Sequence, residues 1–239
     1  NFLISAMPRP GTRRSPSWLS HEAGAAQMEM NFNHGKALEQ ADQGFLFKRT
    51  VREAGLRHQL YATFMSKPMQ GEPGSSMHIH QSVVDESGRN IFANKNGRDS
   101  RAFHAYIAGL QKFLPAVMPL FAPNVNSYRR LMPDTDAPIN THWGYDNRTV
   151  GLRVPHSDAS SRRVENRVPG ADANPYLAIA GSLACGYIGM TQNMKPRPPI
   201  EGSAYRLAHT LPRTLYDALN RFSSSRPLKD ILGESFVEA

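Results

Sequence analysis

An α+β fold is predicted by three observations on the 239-residue chain. Short segments alternate apolar and polar residues and keep one polar face. Longer segments repeat apolar residues at helical spacing. The two kinds mix without the strict alternation that a parallel βαβ sheet requires. The expected architecture is an antiparallel sheet with flanking helices, its polar face open as a site. At 40% hydrophobic and 20% charged, the chain can bury one large core or two small ones.

The elements follow in order. The stretch Arg9-Pro-Gly-Thr-Arg-Arg-Ser-Pro-Ser17 is basic and Pro-rich. Residues 1–19 are therefore expected to form an atypical, disordered lead-in, without the apolar core of a signal peptide. Gln27–Asn33 alternates as a strand, with Met28, Met30 and Phe32 on its apolar face and Gln27, Glu29 and Asn31 opposite. A helix is predicted over Lys36–Leu56, with Leu38, Ala41, Phe45, Val51 and Ala54 on one stripe. Tyr61–Ser66 reads as a short strand closed by Lys67-Pro68. The run Gly74-Ser-Ser-Met-His-Ile-His-Gln-Ser82 reads as another. A second helix is predicted over Ser100–Met118, followed by a loop-rich segment from Pro123 to Pro138. Asn147–Val154 and Arg162–Val168 read as strands, and Leu215–Phe222 as a last short helix.

Ala173–Met194 carries no charged side chain, a length that could span a bilayer. Asn174, Ser182, Thr191, Gln192 and Asn193 interrupt it, so a buried core helix is expected, opened by Asn174 as N-cap and Pro175 at its first turn. One cysteine, Cys185 in an apolar run, excludes a disulfide framework and fits a reducing, cytoplasmic compartment. The net charge of +8 is scattered, with no run of five basic residues and no basic aromatic platform. Nucleic-acid binding is not expected, nor is a membrane partner.

The chemistry concentrates on strand faces. In an extended run Ser76, His78, His80 and Ser82 point one way, with Met77 and Ile79 behind them. Such a face could hold a metal ion or a phosphate, and equally could be two hydrogen-bonded histidines. Glu29 lies on the polar face of its own strand, with Glu22 nearby in sequence. In Arg162-Arg-Val-Glu-Asn-Arg-Val168, Arg163, Glu165 and Arg167 share a face. Carboxylates with imidazole favour Mg²⁺ or Mn²⁺ over Zn²⁺, and guanidinium groups grip phosphate or carboxylate in bidentate fashion. A surface ladder of charges is the plainer account of the arginines. There is no Walker A loop and no Gly-rich dinucleotide fingerprint, so metals and arginines would have to hold any nucleotide.

Several stretches together resemble the catalytic domain of the glutamine synthetase family over roughly Ser20 to Leu232. They are His21-Glu-Ala-Gly-Ala-Ala-Gln-Met-Glu29, Ala62-Thr-Phe-Met-Ser-Lys-Pro68, the His-x-His run, Asn124-Val-Asn-Ser-Tyr-Arg-Arg-Leu131, Asn147-Arg148, Arg153-Val-Pro155, Arg162–Arg167 and Pro169-Gly-Ala-Asp-Ala-Asn-Pro-Tyr-Leu177. The resemblance implies ATP as co-substrate and Mg²⁺ or Mn²⁺ ions held by Glu22 and Glu29 on one side and by His78 and Glu165 on the other. It implies His80, Gln81, Ser82, Arg148 and Arg153 around ATP, and Gly74, Arg130 and Arg167 on glutamate. Arg148 and Asp136 would be catalytic. It also implies a homo-dodecameric parent protein.

Where the ammonia-using members have Asn before the glycine, this chain has Pro73, and where they have a Glu after the arginine motif it has Asp136. A family lysine near the ATP site is replaced in the neighbourhood of Ser160 and Ser161. The wording Trp143-Gly-Tyr-Asp-Asn-Arg-Thr-Val-Gly-Leu-Arg153 looks closest to the γ-glutamylpolyamine synthetases. The expected acceptor is therefore a polyamine, with ammonia, or an inactive or regulatory family member, as the alternatives. Both ends read as cut, with the family's N-terminal β-grasp domain, the following Glu-x-Glu strand and the helix after Gly233 expected to be missing. On that reading the chain alone binds metal weakly and turns over little.

Overall fold

The structure, a computed structural model, describes residues 2–4 and 18–238. Seven short strands make one sheet: β1 (Phe2–Ile4), β2 (Trp18–His21), β3 (Met28–Asn31), β4 (Met77–Gln81), β5 (Trp143–Tyr145), β6 (Leu152–Val154) and β7 (Val164–Asn166). Their spatial order is β2-β3-β1-β4-β7-β6-β5. The sheet is mixed rather than antiparallel as expected. β1 runs parallel to both β3 and β4, and β5 parallel to β6, while β2–β3, β4–β7 and β6–β7 are antiparallel. A parallel neighbour normally needs a long crossover. Between β5 and β6 the return is short because its loop is tied from within and from outside. Asn147 accepts from the Thr149 amide and hydroxyl and donates to the Ile200 and Gly202 carbonyls.

Residues 1–19 do not form an irregular lead-in throughout: Phe2–Ile4 fills the gap between β3 and β4, and β2 begins at Trp18. The basic Pro-rich run Arg9–Ser17 lies outside the described residues.

The helices lie close to their predicted spans. α1 runs Ala37–Arg57, α2 Arg101–Val117, α3 Pro175–Thr191 and α4 Leu215–Ser223. The Ser100 hydroxyl accepts from the Phe103 amide, and the Asn174 side chain from the Tyr176 and Leu177 amides, so each long core helix starts on a side-chain cap. α2 and α3 cross at glycines. A Cβ on Gly109 would stand 2.1 Å from the Cys185 carbonyl oxygen, and one on Gly189 2.2 Å from that of Ala105. Among the described residues no helix is long and apolar enough to cross a membrane.

α1 departs from its predicted stripe. Gln40, Ala41, Gly44 and Lys48 face inward, whereas Leu38 is 68% and Phe45 48% exposed. The buried Lys48 amine donates to the Ala173 carbonyl (2.5 Å), which seats α1 against the start of α3. Tyr61–Ser66 is irregular rather than a strand. Side chains hold it instead: Phe64 packs edge-on to Phe47 under the Arg52 guanidinium, and Ser66 donates to Asp172. Two short helices, α5 (Arg226–Leu232) and α6 (Glu234–Glu238), follow α4.

The core sits on one face of the sheet. Met77, Ile79, Leu152, Val154 and Val164 are buried in the same cluster as Phe103, Ile107, Leu110 and Leu114 of α2 and Ile179 and Ile188 of α3. The other face carries the polar residues.

Candidate active site

The register places the polar residues side by side. His80 pairs with Glu165 and Glu165 with Arg153, so β4, β7 and β6 present an imidazole, a carboxylate and a guanidinium in a row. Arg167 and Arg163 flank Glu165 on the same strand face. On the other side, Leu3 of β1 pairs with both Asn31 and His78. Asn31 and Glu29 therefore share the face of His78, Asn31 about 9–10 Å away across two interstrand spacings and Glu29 farther along its strand.

Glu165 is the centre. Its Oε1 accepts from Arg167 Nη1 (2.9 Å) and lies 3.2 Å from His78 Nδ1. Its Oε2 accepts from Arg153 Nη1 (2.7 Å), whose Nη2 also reaches Asp146 (2.5 Å). Burial pushes the Glu165 carboxyl up, but the hydrogen bond with His78 and the positive charge around it hold it well below the ordinary range. His78 has Ser76 on its other nitrogen, at 3.0 Å. Burial, reinforced by the charge of Arg167, lowers its pKa to about 4. Burial does the same to His80, also to about 4. His80 Nδ1 accepts from Arg163 Nε (3.2 Å), and its buried Nε2 has no partner among the described residues. His80, Ser82 and Arg163 line a small pocket of about 130 Å³ with His34 and Gly35.

The second group is the carboxylate pair at the β2–β3 edge. Glu29 is pushed up to about 7, first by burial and then by a hydrogen bond with Glu22, which a bond from Asn31 only partly offsets. A carboxyl group raised this far can share a proton with the carboxylate beside it.

The third group surrounds Gly74. Here a Cβ would lie 2.5 Å from Arg130 Cγ and 2.8 Å from the Ser66 carbonyl oxygen, so only glycine lets the arginine lie across the loop. Arg130 is 3% exposed and bonds the Val168 carbonyl. Burial lowers its pKa to about 10, which leaves it a cation at neutral pH. Asp172 ties the surroundings together, accepting from Ser66 Oγ (2.6 Å), Ser127 Oγ (2.6 Å) and Asn124 Nδ2 (3.2 Å).

Not every residue expected at the site faces it. Gln81 points to the core side, where its amide donates to Ser182 (2.8 Å) and accepts from the Tyr106 hydroxyl (2.5 Å). The period of two that puts His80 on the polar face puts Gln81 on the other. Arg148 is exposed on the β5–β6 loop and makes no hydrogen bond or ion pair among the described residues. Asp136 is exposed, at φ +56°, on the wall of a cleft of about 940 Å³ shared with Met65, Lys67, Glu72, Arg129 and Met132. Asp146, Ser76 and Asp172 had no role assigned from sequence. Ser76 stood out as the start of the alternating face, and Asp172 only as a member of the Pro169–Leu177 run.

Among the described residues no three His, Cys, Asp or Glu side chains converge on one metal position. The donors come as two pairs, and the pairs differ in how well they suit a hard cation. Glu22 with Glu29 is an oxygen pair in which burial and the neighbouring carboxyl raise Glu29. His78 with Glu165 is already closed by arginines.

Comparison with known proteins gives a consistent set. The model of the glutamine synthetase catalytic domain matches residues 10–239. A glutamine synthetase of Thermococcus kodakarensis is 38% identical over 239 residues, 96% of this chain and 53% of that protein. A glutamate–isopropylamine ligase of a Pseudomonas species is 40% identical over 91% of this chain and 49% of its own length. The γ-glutamylputrescine synthetase of Escherichia coli is 40% identical over 90% of this chain and 46% of its own length. The chain thus spans about half the length of the curated relatives it matches. A solved GmaS/ADP complex superposes with a TM-score of 0.84 at 32% identity, covering 93% of this chain and 54% of that one.

Proposed function

The chain belongs to the glutamine synthetase family, matching its catalytic domain, and from that premise we propose that its protein is an ATP-dependent ligase joining the γ-carboxylate of glutamate to an alkylamine or polyamine. The observation that carries this reading is the single polar sheet face on which Glu29, His78, His80, Glu165, Arg153 and Arg167 stand together.

In this reading Arg130, with Gly74 leaving room for it, and Arg167 hold the glutamate carboxylates. His80, Ser82, Arg148 and Arg153 border ATP; Gln81 contributes through its backbone, since its amide is committed to the core. Glu22 and Glu29 would hold one Mg²⁺ or Mn²⁺, His78 and Glu165 the other. Bound there, the ions supply positive charge against phosphoryl oxygens. A γ-carboxylate oxygen of glutamate attacks the γ-phosphorus of ATP and ADP leaves. The amine nitrogen then attacks the acyl carbon, phosphate leaves, and Asp136 accepts the proton the amine gives up. The arginines hold the substrates in line and Asp136 acts from the cleft wall.

The acceptor assignment rests on the cleft beside Asp136. Met65, Pro68, Met132 and Pro133 give that cleft apolar wall, which suits an alkyl chain and does nothing for ammonia. A homo-dodecamer is the proposed assembly of the parent protein. The test is ATP turnover by the protein carrying this chain, with glutamate and putrescine, isopropylamine, ethanolamine or ammonia. An organic amine is expected to give the highest kcat/KM. Ammonia as best acceptor by a wide margin would overturn the acceptor assignment.

A further inference from the structure

Behind the segment Leu131–Pro133 lies a second cavity, of about 420 Å³. Leu131, Ile139 and Leu207 give it apolar walls, and Tyr128, Tyr205 and His209 stand among them with Arg213. Its polar atoms are unusual. The Tyr128 hydroxyl, the Tyr205 hydroxyl and His209 Nε2 are all buried and have no hydrogen-bond partner among the described residues. Tyr128 itself is only 7% exposed. Folded proteins leave few such groups unpaired, and three around one cavity mark a place where something else supplies the partner.

The chemistry of the lining defines that partner. Burial, followed by the negative charge of Asp217 and Asp172, keeps the Tyr128 phenol protonated, so it offers a hydrogen. Burial, again the largest influence, keeps the Tyr205 phenol protonated too. Burial and then the charge of Arg213 lower the His209 pKa, leaving a neutral imidazole. Arg213 is exposed and forms no ion pair among the described residues. Two hydroxyl donors and one cation around an apolar hollow complement an anionic acceptor on an apolar body. The volume falls within the roughly 300–1,000 Å³ usual for small-molecule sites.

We propose that this cavity is a binding site for a small carboxylate with an apolar body, held by Tyr128, Tyr205 and Arg213. Met132 and Pro133 line both this cavity and the cleft that Asp136 borders. Occupancy therefore bears on the same segment from behind. That consequence rests on the ligase reading; the binding itself does not.

The test titrates the chain with phenylacetate, and with benzyl alcohol and acetate as the two halves of its chemistry, by calorimetry. Phenylacetate is expected to bind saturably, with each half at least about tenfold weaker. Tyr128→Phe and Arg213→Gln should each weaken phenylacetate about tenfold. Tyr128→Phe should also melt at or above the parent temperature, because it deletes a hydroxyl that the empty cavity leaves unpaired. The proposal is overturned by absence of saturable binding, by equal affinity for benzyl alcohol and phenylacetate, or by variants that bind as the parent does. A Tyr128→Phe protein that melts several degrees lower would overturn it too, since the hydroxyl would then be paired within the fold. Loss of ligase activity in every amine assay would leave these binding results untouched, so the two readings fail separately.

Discussion

Glu165 and Glu29 stand on the same face of the same sheet and live in opposite electrostatic worlds. Glu165 is enclosed by Arg153, Arg167 and His78, and its carboxyl is held well below the ordinary range. Glu29, at the sheet edge with Glu22, is pushed up to about 7. The centre carries its counter-charges within the chain. The edge has brought two carboxyl groups together, and burial with their mutual contact favours a proton on Glu29.

The largest way to break this comparison is Glu165→Ala. It leaves Arg167 with a buried charge unmatched and Arg153 with Asp146 alone, and is expected to cost about 3–5 kcal/mol in chemical denaturation. A loss under about 1 kcal/mol would mean that the centre is a loose surface ladder. Gly74→Ala comes next. Its methyl group must displace Arg130 or the Ser66 backbone, at about 1–3 kcal/mol.

Acid sharpens the centre further. His78 and His80, depressed by burial from 6.5 to about 4, add stability that is fully present above pH 6.5 and lost as pH falls from there towards 4. The denaturant midpoint should drop across that window, and by less in His80→Gln; a flat profile contradicts their burial as neutral rings. The edge has the opposite sign and the smallest effect. Glu29, raised to about 7, gives stability that is present below pH 4.5 and lost as pH rises through 7. Glu29→Gln should therefore be no less stable than the parent at pH 8 in a thermal melt, and a clear drop would show that the carboxylate is already compensated.

Much of this was legible in the chain. Strict alternation around His78 and Glu165 exposes both strands and their polar faces, and Ser100 and Asn174 mark the helix starts that their capping bonds confirm. What was hidden depends on contacts far apart in sequence. Gln81 reads as a neighbour of His80, yet its amide belongs to Tyr106 and Ser182. Tyr61–Ser66 alternates like a strand but is fixed by Phe47, Arg52 and Asp172. Trp143–Tyr145 pairs with β6 across a loop that Asn147 ties to the distant Ile200 and Gly202 carbonyls. The inward stripe of α1 escaped periodicity because it uses Gln40, Gly44 and Lys48 rather than large apolar residues. Asp172 gave no sign of joining three segments, since its partners lie 45 or more positions away.

The contrast between centre and edge is tested most directly by titrating Mn²⁺ into the chain at pH 6 and pH 8, parent beside Glu29→Gln. A carboxylate pair that must release its shared proton to bind predicts parent affinity about tenfold weaker at pH 6, and weak binding at both pH values in the variant. Equal affinity at the two pH values, or full affinity in Glu29→Gln, would contradict it.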